Sequence, residues 1–260
     1  MSQPLDFRAR SVSEIVDAAF QLYRRDALQY ILAAAVAYAP VLILQTLLFG
    51  GMDLTRAASM SPALLLPSYV VALVGYLLMK AVLVHYSAGV YLGRGVDLGA
   101  SVRAVLPRLP AILVAGLLVW ALIALGLVLL IVPGLILFTR FFAVIQVLVL
   151  EQGGVGNAIS RSMLLSRERK MHIFGTLALV YFIYFIGSMA LGVVGSIALF
   201  MTGTQIITMI LGGVYAIVAY PIIGIAEMVL YYDARIRAEA YDVELMAGGL
   251  SSPATSVPAL

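Results

Sequence analysis

The sequence predicts an all-α, polytopic membrane protein with six transmembrane helices, arranged as three hairpins that are each preceded by a cytoplasmic amphipathic helix. The first observation is composition: 63% of the residues are hydrophobic, 11% are charged, and the mean hydropathy is +1.07. Soluble domains carry about 25% charged residues, so a soluble core could not bury this much apolar surface. The apolar runs are long and continuous, which excludes the ten-residue alternation of a membrane β-barrel.

The second observation is the central stretch 111–150, in which Arg140 is the only charged residue. Forty residues exceed the roughly 20 that one helical crossing needs. Proline cannot continue a helical hydrogen-bond ladder and glycine tolerates turn conformations, so Pro133 and Gly134 mark a reversal. The stretch therefore predicts two spans, 111–132 and 135–150.

The third observation is the distribution of positive charge between the two sides of these spans. Of the 16 Lys and Arg residues, thirteen fall on the side that holds the termini and one, Arg56, on the other. The thirteen are Arg8, Arg10, Arg24, Arg25, Arg94, Arg103, Arg108, Arg161, Arg167, Arg169, Lys170, Arg235 and Arg237. By the positive-inside rule this asymmetry predicts cytoplasmic N- and C-termini.

The first hairpin follows a cytoplasmic segment, 1–27. Within it Ser11–Arg25 has apolar residues at helical spacing and begins with a capping box formed by Ser11 and Glu14. We interpret it as a helix lying in the membrane interface, with a soluble helix packed on a partner as the alternative. Spans 28–49 and 63–91 follow, and Pro40 predicts a kink in the first.

The other hairpins repeat this unit. Short amphipathic helices are predicted at Asp97–Leu106, before the central hairpin, and at Val155–Ser166, before spans 172–200 and 206–232. A cytoplasmic amphipathic helix is expected at 233–246 and a disordered Gly-, Ser- and Pro-rich tail at 247–260.

Four ionisable residues are predicted to lie in or near the hydrocarbon: Lys80, His85, Arg140 and Glu227. Such residues are costly in hydrocarbon and need partners. Lys80 and Glu227 lie at depths compatible with an ion pair, which would serve either as a proton or ion site with His85 nearby or as a structural clip. Arg140 has no acid at matching depth, so we expect a lipid-binding or structural role.

Further residues are candidates for contacts with lipid headgroups or between helices. The basic candidates for headgroup contacts are Arg24, Arg25, Arg103, Arg161, Arg167, Arg169 and Lys170. The small residues predicted to allow close helix packing are Gly89, Gly93, Ser188, Gly192, Ser196 and Gly212.

The sequence carries no recognisable catalytic motif. Its two histidines, His85 and His172, are isolated, and no phosphate-binding loop or nucleophile elbow is present. With no cysteine, thiolate metal sites are excluded, so we expect no metal, no cofactor and no enzyme activity. The basic residues follow the membrane topology, which disfavours nucleic-acid binding.

Several segments resemble the bacterial membrane-domain family named after the membrane part of some glycerophosphoryl diester phosphodiesterases. The matching stretches are SVSEIVDAAFQLYRR (11–25), VLE (149–151), AISRSMLLSRER (158–169) and MVLYYDARIRAEAYDVELM (228–246). The resemblance implies a six-helix protein of the bacterial inner membrane. It does not imply phosphodiesterase activity, because the catalytic barrel of that family is a separate domain.

From these observations we expect a non-catalytic scaffold or accessory subunit of a membrane complex that also packs lipid. The alternative is a transporter or lipid-handling protein that uses Lys80, His85 and Glu227. The expected partners are membrane lipids and either another protein or a second copy of the chain. A buried pair without a cavity would favour the structural role, and a polar cavity open to one side would favour transport.

Overall fold

The computed structural model describes residues 8–49, 62–151 and 153–239, and the regular structure in these ranges is entirely helical. The helices are α1 (Val12–Arg25), α2 (Ala27–Phe49), α3 (Pro62–Tyr91), α4 (Leu98–Val105), α5 (Leu109–Leu129), α6 (Ile131–Arg140), α7 (Val144–Leu150), α8 (Val155–Leu165), α9 (Lys170–Thr202) and α10 (Ile206–Glu239). Six helical segments are long and apolar enough to cross a membrane. The predicted all-α, multi-pass class is confirmed.

Helix α10 lies at the centre of the bundle, where it packs against α9, α2, α1 and α3. Between Tyr220 and Ala234 it is buried on almost every side, as expected of a helix that is apolar all round. Outward-facing apolar side chains on the surrounding helices, such as Ile43, Phe182 and Val193, are more than half exposed. This surface suits contact with lipid rather than water.

The first and third hairpins, α2–α3 and α9–α10, are held by close approaches at glycines. A Cβ on Gly75 would lie 2.3 Å from the Val41 side chain, and one on Gly195 would lie 2.9 Å from Thr208. The α9–α10 connection begins at Gly203, whose φ of +70° is the left-handed conformation common at helix C-termini. At these points the helix backbone at the glycine therefore packs directly against a side chain of the facing helix.

The central hairpin turns at Leu130 and not at Pro133–Gly134, so the predicted position of the reversal was wrong. Leu130 is extended, with φ −161° and ψ 142°, and α6 begins at the next residue. Pro133 lies in the first turn of α6, where a helix needs no N–H from it. Gly134 instead allows α5 and α6 to touch, since a Cβ there would be 2.7 Å from the Leu127 backbone nitrogen.

The predicted fourth span, 135–150, is not one helix, because the chain breaks between Arg140 and Val144. Ser162 of α8 forms hydrogen bonds to the backbone groups that this break leaves free. Its hydroxyl donates to the Arg140 carbonyl at 2.8 Å and accepts from the Ala143 N–H at 3.1 Å. Side-chain hydroxyls are a recognised way to satisfy backbone groups freed by an interrupted membrane helix.

Helix α1 forms the predicted capping box: the backbone N–H of Ser11 donates to Glu14, and the Glu14 N–H donates to the Ser11 hydroxyl. The Ser11 N–H and the Arg8 guanidinium together lower the pKa of Glu14 to about 2. The apolar face of α1, with Ile15 and Ala19 fully buried, packs on α10 and α9. This face covers protein, whereas the sequence analysis assigned it to the membrane interface.

Other boundaries also differ from the prediction. Helix α10 runs without interruption to Glu239, so the expected border between a span ending at 232 and a separate helix at 233 is absent. The rest of that helix, the tail 247–260 and the Arg56 loop lie outside the described residues.

We call the end of the bundle formed by α1, α4, α8 and the last turns of α10 the charged end.

Replacing Ser162 with alanine leaves the Arg140 carbonyl and the Ala143 N–H without their partner in an apolar interior. We expect Ser162→Ala to lower the free energy of unfolding by about 1–3 kcal/mol, measured by unfolding of the purified protein in mixed micelles. Ser160→Ala is the matched control, because the Ser160 hydroxyl donates only to Asn157 of its own helix. Equal stability of the two variants would contradict the bridging role.

Candidate functional site

The centre of the candidate site is an ion pair between two facing helices. The Lys80 ammonium of α3 lies 2.7 Å from Oε2 of Glu227 on α10. The Lys80 side chain is 12% exposed and the Glu227 side chain 4% exposed. A buried carboxylate is tolerated only when a counter-ion and hydrogen-bond donors surround it.

Two neutral donors complete the surroundings of Glu227. The Tyr181 hydroxyl of α9 donates to Oε1 at 3.0 Å, and the Gln146 amide of α7 donates to Oε2 at 3.2 Å. Both carboxylate oxygens are thus occupied by groups from three other helices. The sequence analysis missed Tyr181 and Gln146, although Gln146 is the sole polar residue in the apolar run 141–150.

A cavity of about 100 Å³ lies against the ion pair. Lys80, Glu227 and Tyr181 form its polar wall. The rest of its lining is apolar and largely aromatic: Tyr76, Val119, Trp120, Ile123, Phe138, Phe141, Phe142 and Leu177. The pair is therefore buried beside empty space, and not sealed within packed side chains.

A larger, mainly apolar groove of about 380 Å³ adjoins this cavity. The two share Tyr76, Trp120 and Tyr181 in their linings. Trp120, the only tryptophan of the chain, is 53% exposed on the lipid-facing surface. The remaining lining of the groove is Tyr38, Ala72, Leu73, Met79, Tyr184, Ala216, Tyr220 and Ile223.

Together the two spaces suit an amphiphilic molecule. The aromatic groove can hold an apolar chain, and the small cavity can hold a compact polar group. An ammonium carries three N–H donors, and Glu227 is the ion-pair partner that Lys80 has among the described residues. Since Glu227 is already surrounded by donors, Lys80 keeps spare N–H donors at the site. Among the described residues, the buried Oε1 of Gln146 is in turn an acceptor without a hydrogen-bond partner.

The structure does not bring His85 to this pair. Its Nδ1 lies 3.1 Å from the Ser101 hydroxyl of α4, beside a separate cavity lined by Arg94, Tyr232 and Arg235. The expected polar line of Lys80, His85 and Glu227 is therefore interrupted. Arg140 is also apart, with an exposed side chain at the break after α6.

The basic candidates are dispersed over the charged end. Arg24, Arg25 and Arg103 are exposed, and the last two contact Asp26 and the Gly99 carbonyl. Arg161 instead pairs with Glu151 and Glu239, so it is a structural tie. Arg167 and Arg169 line a cavity of about 250 Å³, and Lys170 begins α9 nearby.

Most of the small residues predicted for helix packing do not serve it. Gly192 and Gly212 face open space, Ser188 and Ser196 bond to their own helix, and Gly93 has a φ of +68° in a turn. Gly89 is close to Val96 of the following loop. Helices α9 and α10 instead approach each other closely where Gly187 meets Tyr215 and where Gly195 meets Thr208. Helix α10 also approaches α2 closely, where Gly213 meets Leu42.

A second polar cluster, which the sequence analysis missed, ties the chain's N-terminal segment to α10. Asp233 is 2% exposed and accepts from the Arg10 backbone N–H at 2.7 Å and from Arg237 at 2.8 Å. His172 Nε2 lies 3.2 Å from the same carboxylate. Beside it, the Tyr231 hydroxyl donates to Glu151 at 2.6 Å. This cluster is a structural lock at the charged end.

No family model matches the chain, and no curated protein or solved structure matches it. The resemblance to the glycerophosphoryl diester phosphodiesterase membrane domain stays a prediction. Among the described residues, no group of three or more His, Cys, Asp or Glu side chains could hold a metal ion.

Removing one member of the ion pair leaves the other buried and uncompensated. We expect Lys80→Met to destabilise the protein by about 3–5 kcal/mol, because the Glu227 charge then lacks its counter-ion. The double variant Lys80→Met, Glu227→Gln restores neutrality and should recover most of that loss. Unfolding of the single and double variants in mixed micelles measures the coupling, and additive losses would contradict a tight pair.

Proposed function

We propose that this protein is a non-catalytic, lipid-handling protein of the bacterial inner membrane that binds an amphiphilic molecule drawn from the bilayer. The observation that carries the proposal is the ion pair Lys80–Glu227 at the inner end of an aromatic groove. A purely structural clip would favour tight packing around the pair, and the adjoining cavity is what favours a ligand.

The residues that line the groove and the cavity indicate the chemistry of the ligand. The groove presents few polar groups, which suits an acyl or similar hydrocarbon chain. The spare N–H donors of Lys80 call for a neutral hydrogen-bond acceptor, such as the carbonyl of an ester or of a protonated carboxylic acid, because Lys80 already neutralises Glu227. A cavity of about 100 Å³ limits the acceptor to a small group.

Ion transport through the membrane is less well supported. A conducting or proton-relay path needs successive polar groups, and His85 is engaged with Ser101 away from the pair. The donors around Glu227 also hold its carboxylate in place. These contacts favour a fixed polar group of the protein that binds the polar end of a ligand.

The second candidate function is the scaffold or accessory subunit. The observation that favours it is the charged cavity at the charged end, lined by Arg167, Glu168 and Arg169, which suits a polar protein partner. Native mass spectrometry of gently extracted protein separates the two functions. A stoichiometric protein partner supports the accessory subunit, and a lone chain or homo-oligomer carrying a defined lipid supports lipid handling.

The proposed orientation places the charged end in the cytoplasm. Its support is the thirteen-to-one asymmetry of Lys and Arg, together with the resemblance to a bacterial membrane-domain family.

The single tryptophan gives a direct test of ligand binding. A dibrominated fatty acid bound in the groove should quench Trp120 fluorescence saturably in the purified full chain, because bromine quenches at contact. Ala216→Phe fills the groove and should weaken binding at least tenfold. Lys80→Met should weaken binding of the acid through the lost donor.

Val214→Phe is the matched control, since Val214 lies two residues away on the same helix and faces outward with 50% exposure. It should quench like the wild type. Quenching that rises linearly with the probe and is equal in all variants would mean partition into the micelle, and would overturn the proposed function.

A further inference from the structure

The turn of the central hairpin is made of apolar residues alone. From Ala121 to Phe138 no side chain is polar. The five residues around the turn, Val128, Leu129, Leu130, Ile131 and Val132, are 66–84% exposed. In contrast, the turn of the third hairpin contains Thr202, Thr204 and Gln205. Water would therefore be an unfavourable surrounding for the central turn, in contrast to the turn of the third hairpin.

The backbone of this turn is also suited to a medium without water. A single non-helical residue, Leu130, separates α5 from α6. Its N–H donates to the Gly126 carbonyl at 3.0 Å, and its carbonyl accepts from the Gly134 N–H at 3.4 Å. Pro133 contributes no N–H to the start of α6. The turn thus reduces the number of backbone groups that need water, which hydrocarbon could not supply.

The length of the hairpin agrees with this surrounding. The Phe138 and Tyr181 rings are in contact, with centroids 5.9 Å apart. From that contact, α6 runs only eight residues back to Leu130, about 12 Å, while α9 runs 22 residues on to Gly203, about 33 Å. Val119 of α5 lines the same cavity as Tyr181 and Phe138, and from Val119 α5 reaches Leu130 in 11 residues, about 17 Å. Both lengths are shorter than that of α9.

We infer that the central hairpin is re-entrant: its turn ends within the hydrocarbon of the bilayer, and the chain returns to the charged end without exposing a loop on the opposite side. Acyl chains, which match the exposed Leu, Val and Ile side chains, are the partner of this surface. The positive-charge asymmetry is unchanged, because the hairpin begins and ends on the same side. The inference is independent of what binds beside Lys80.

The chain contains no cysteine, so single introduced cysteines can each carry a spin label in the whole chain. We would label Leu130→Cys and Val128→Cys at the central turn and Thr202→Cys at the third hairpin, after reconstitution into phospholipid bilayers. The measurement compares collisions with oxygen, which concentrates in hydrocarbon, and with a water-soluble nickel chelate.

Labels at 128 and 130 should be accessible to oxygen and shielded from nickel, and the label at 202 should show the reverse order. Nickel accessibility at 130 equal to that at 202 would place the turn in water and overturn the inference. Low accessibility to both reagents would show a covering protein or second copy and would overturn it as well. Because Val128 is 84% exposed, its label preserves the test if Leu130→Cys fails to fold.

Discussion

The carboxylate of Glu227 is the constraint on which the arrangement of the bundle depends. An ionised group surrounded by apolar side chains must receive a counter-ion and hydrogen-bond donors. Here each of them comes from a different helix. Lys80, Gln146 and Tyr181 supply them from α3, α7 and α9. Because each of these side chains must reach Glu227, the pairing fixes the positions of the four helices along one another. Contacts between apolar surfaces alone would not distinguish one such position from another.

The same constraint bears on the interruption of the fourth apolar segment. Gln146 belongs to α7, which follows the break at residues 141–143 and is buried except at Leu150, whereas the preceding α6 is partly exposed. The break separates a lipid-facing piece from an inward piece. The Ser162 hydroxyl of α8 then stabilises the backbone groups that the break leaves free.

The architecture could be predicted from the sequence because hydropathy, chain length and positive charge each depend on the membrane rather than on contacts between residues. The Lys80–Glu227 pair could be anticipated from depth alone. Its neutral donors could not, since depth does not tell which face of α9 turns inward.

The small residues illustrate the same limit. Neighbouring helical positions differ by about 100° in direction, so Gly187 and Gly195 face α10 while Ser188 and Ser196 do not. Likewise, Pro133 indicates a helix boundary, but proline is equally common in the reversal of a hairpin and in the first turn of the helix that follows. The sequence therefore could not tell which of the two holds Pro133.

The lock between Arg10 and Asp233 joins positions 223 residues apart, and this has a consequence for the order of assembly. During synthesis α1 leaves the ribosome before its partner α10. The apolar face of α1 is therefore uncovered until α10 has been made. Until then the membrane surface is the most favourable surrounding for an amphipathic helix. Docking of α1 on α10 therefore has to follow the synthesis of α10, and a chain truncated before α10 would leave the apolar face of α1 without this partner.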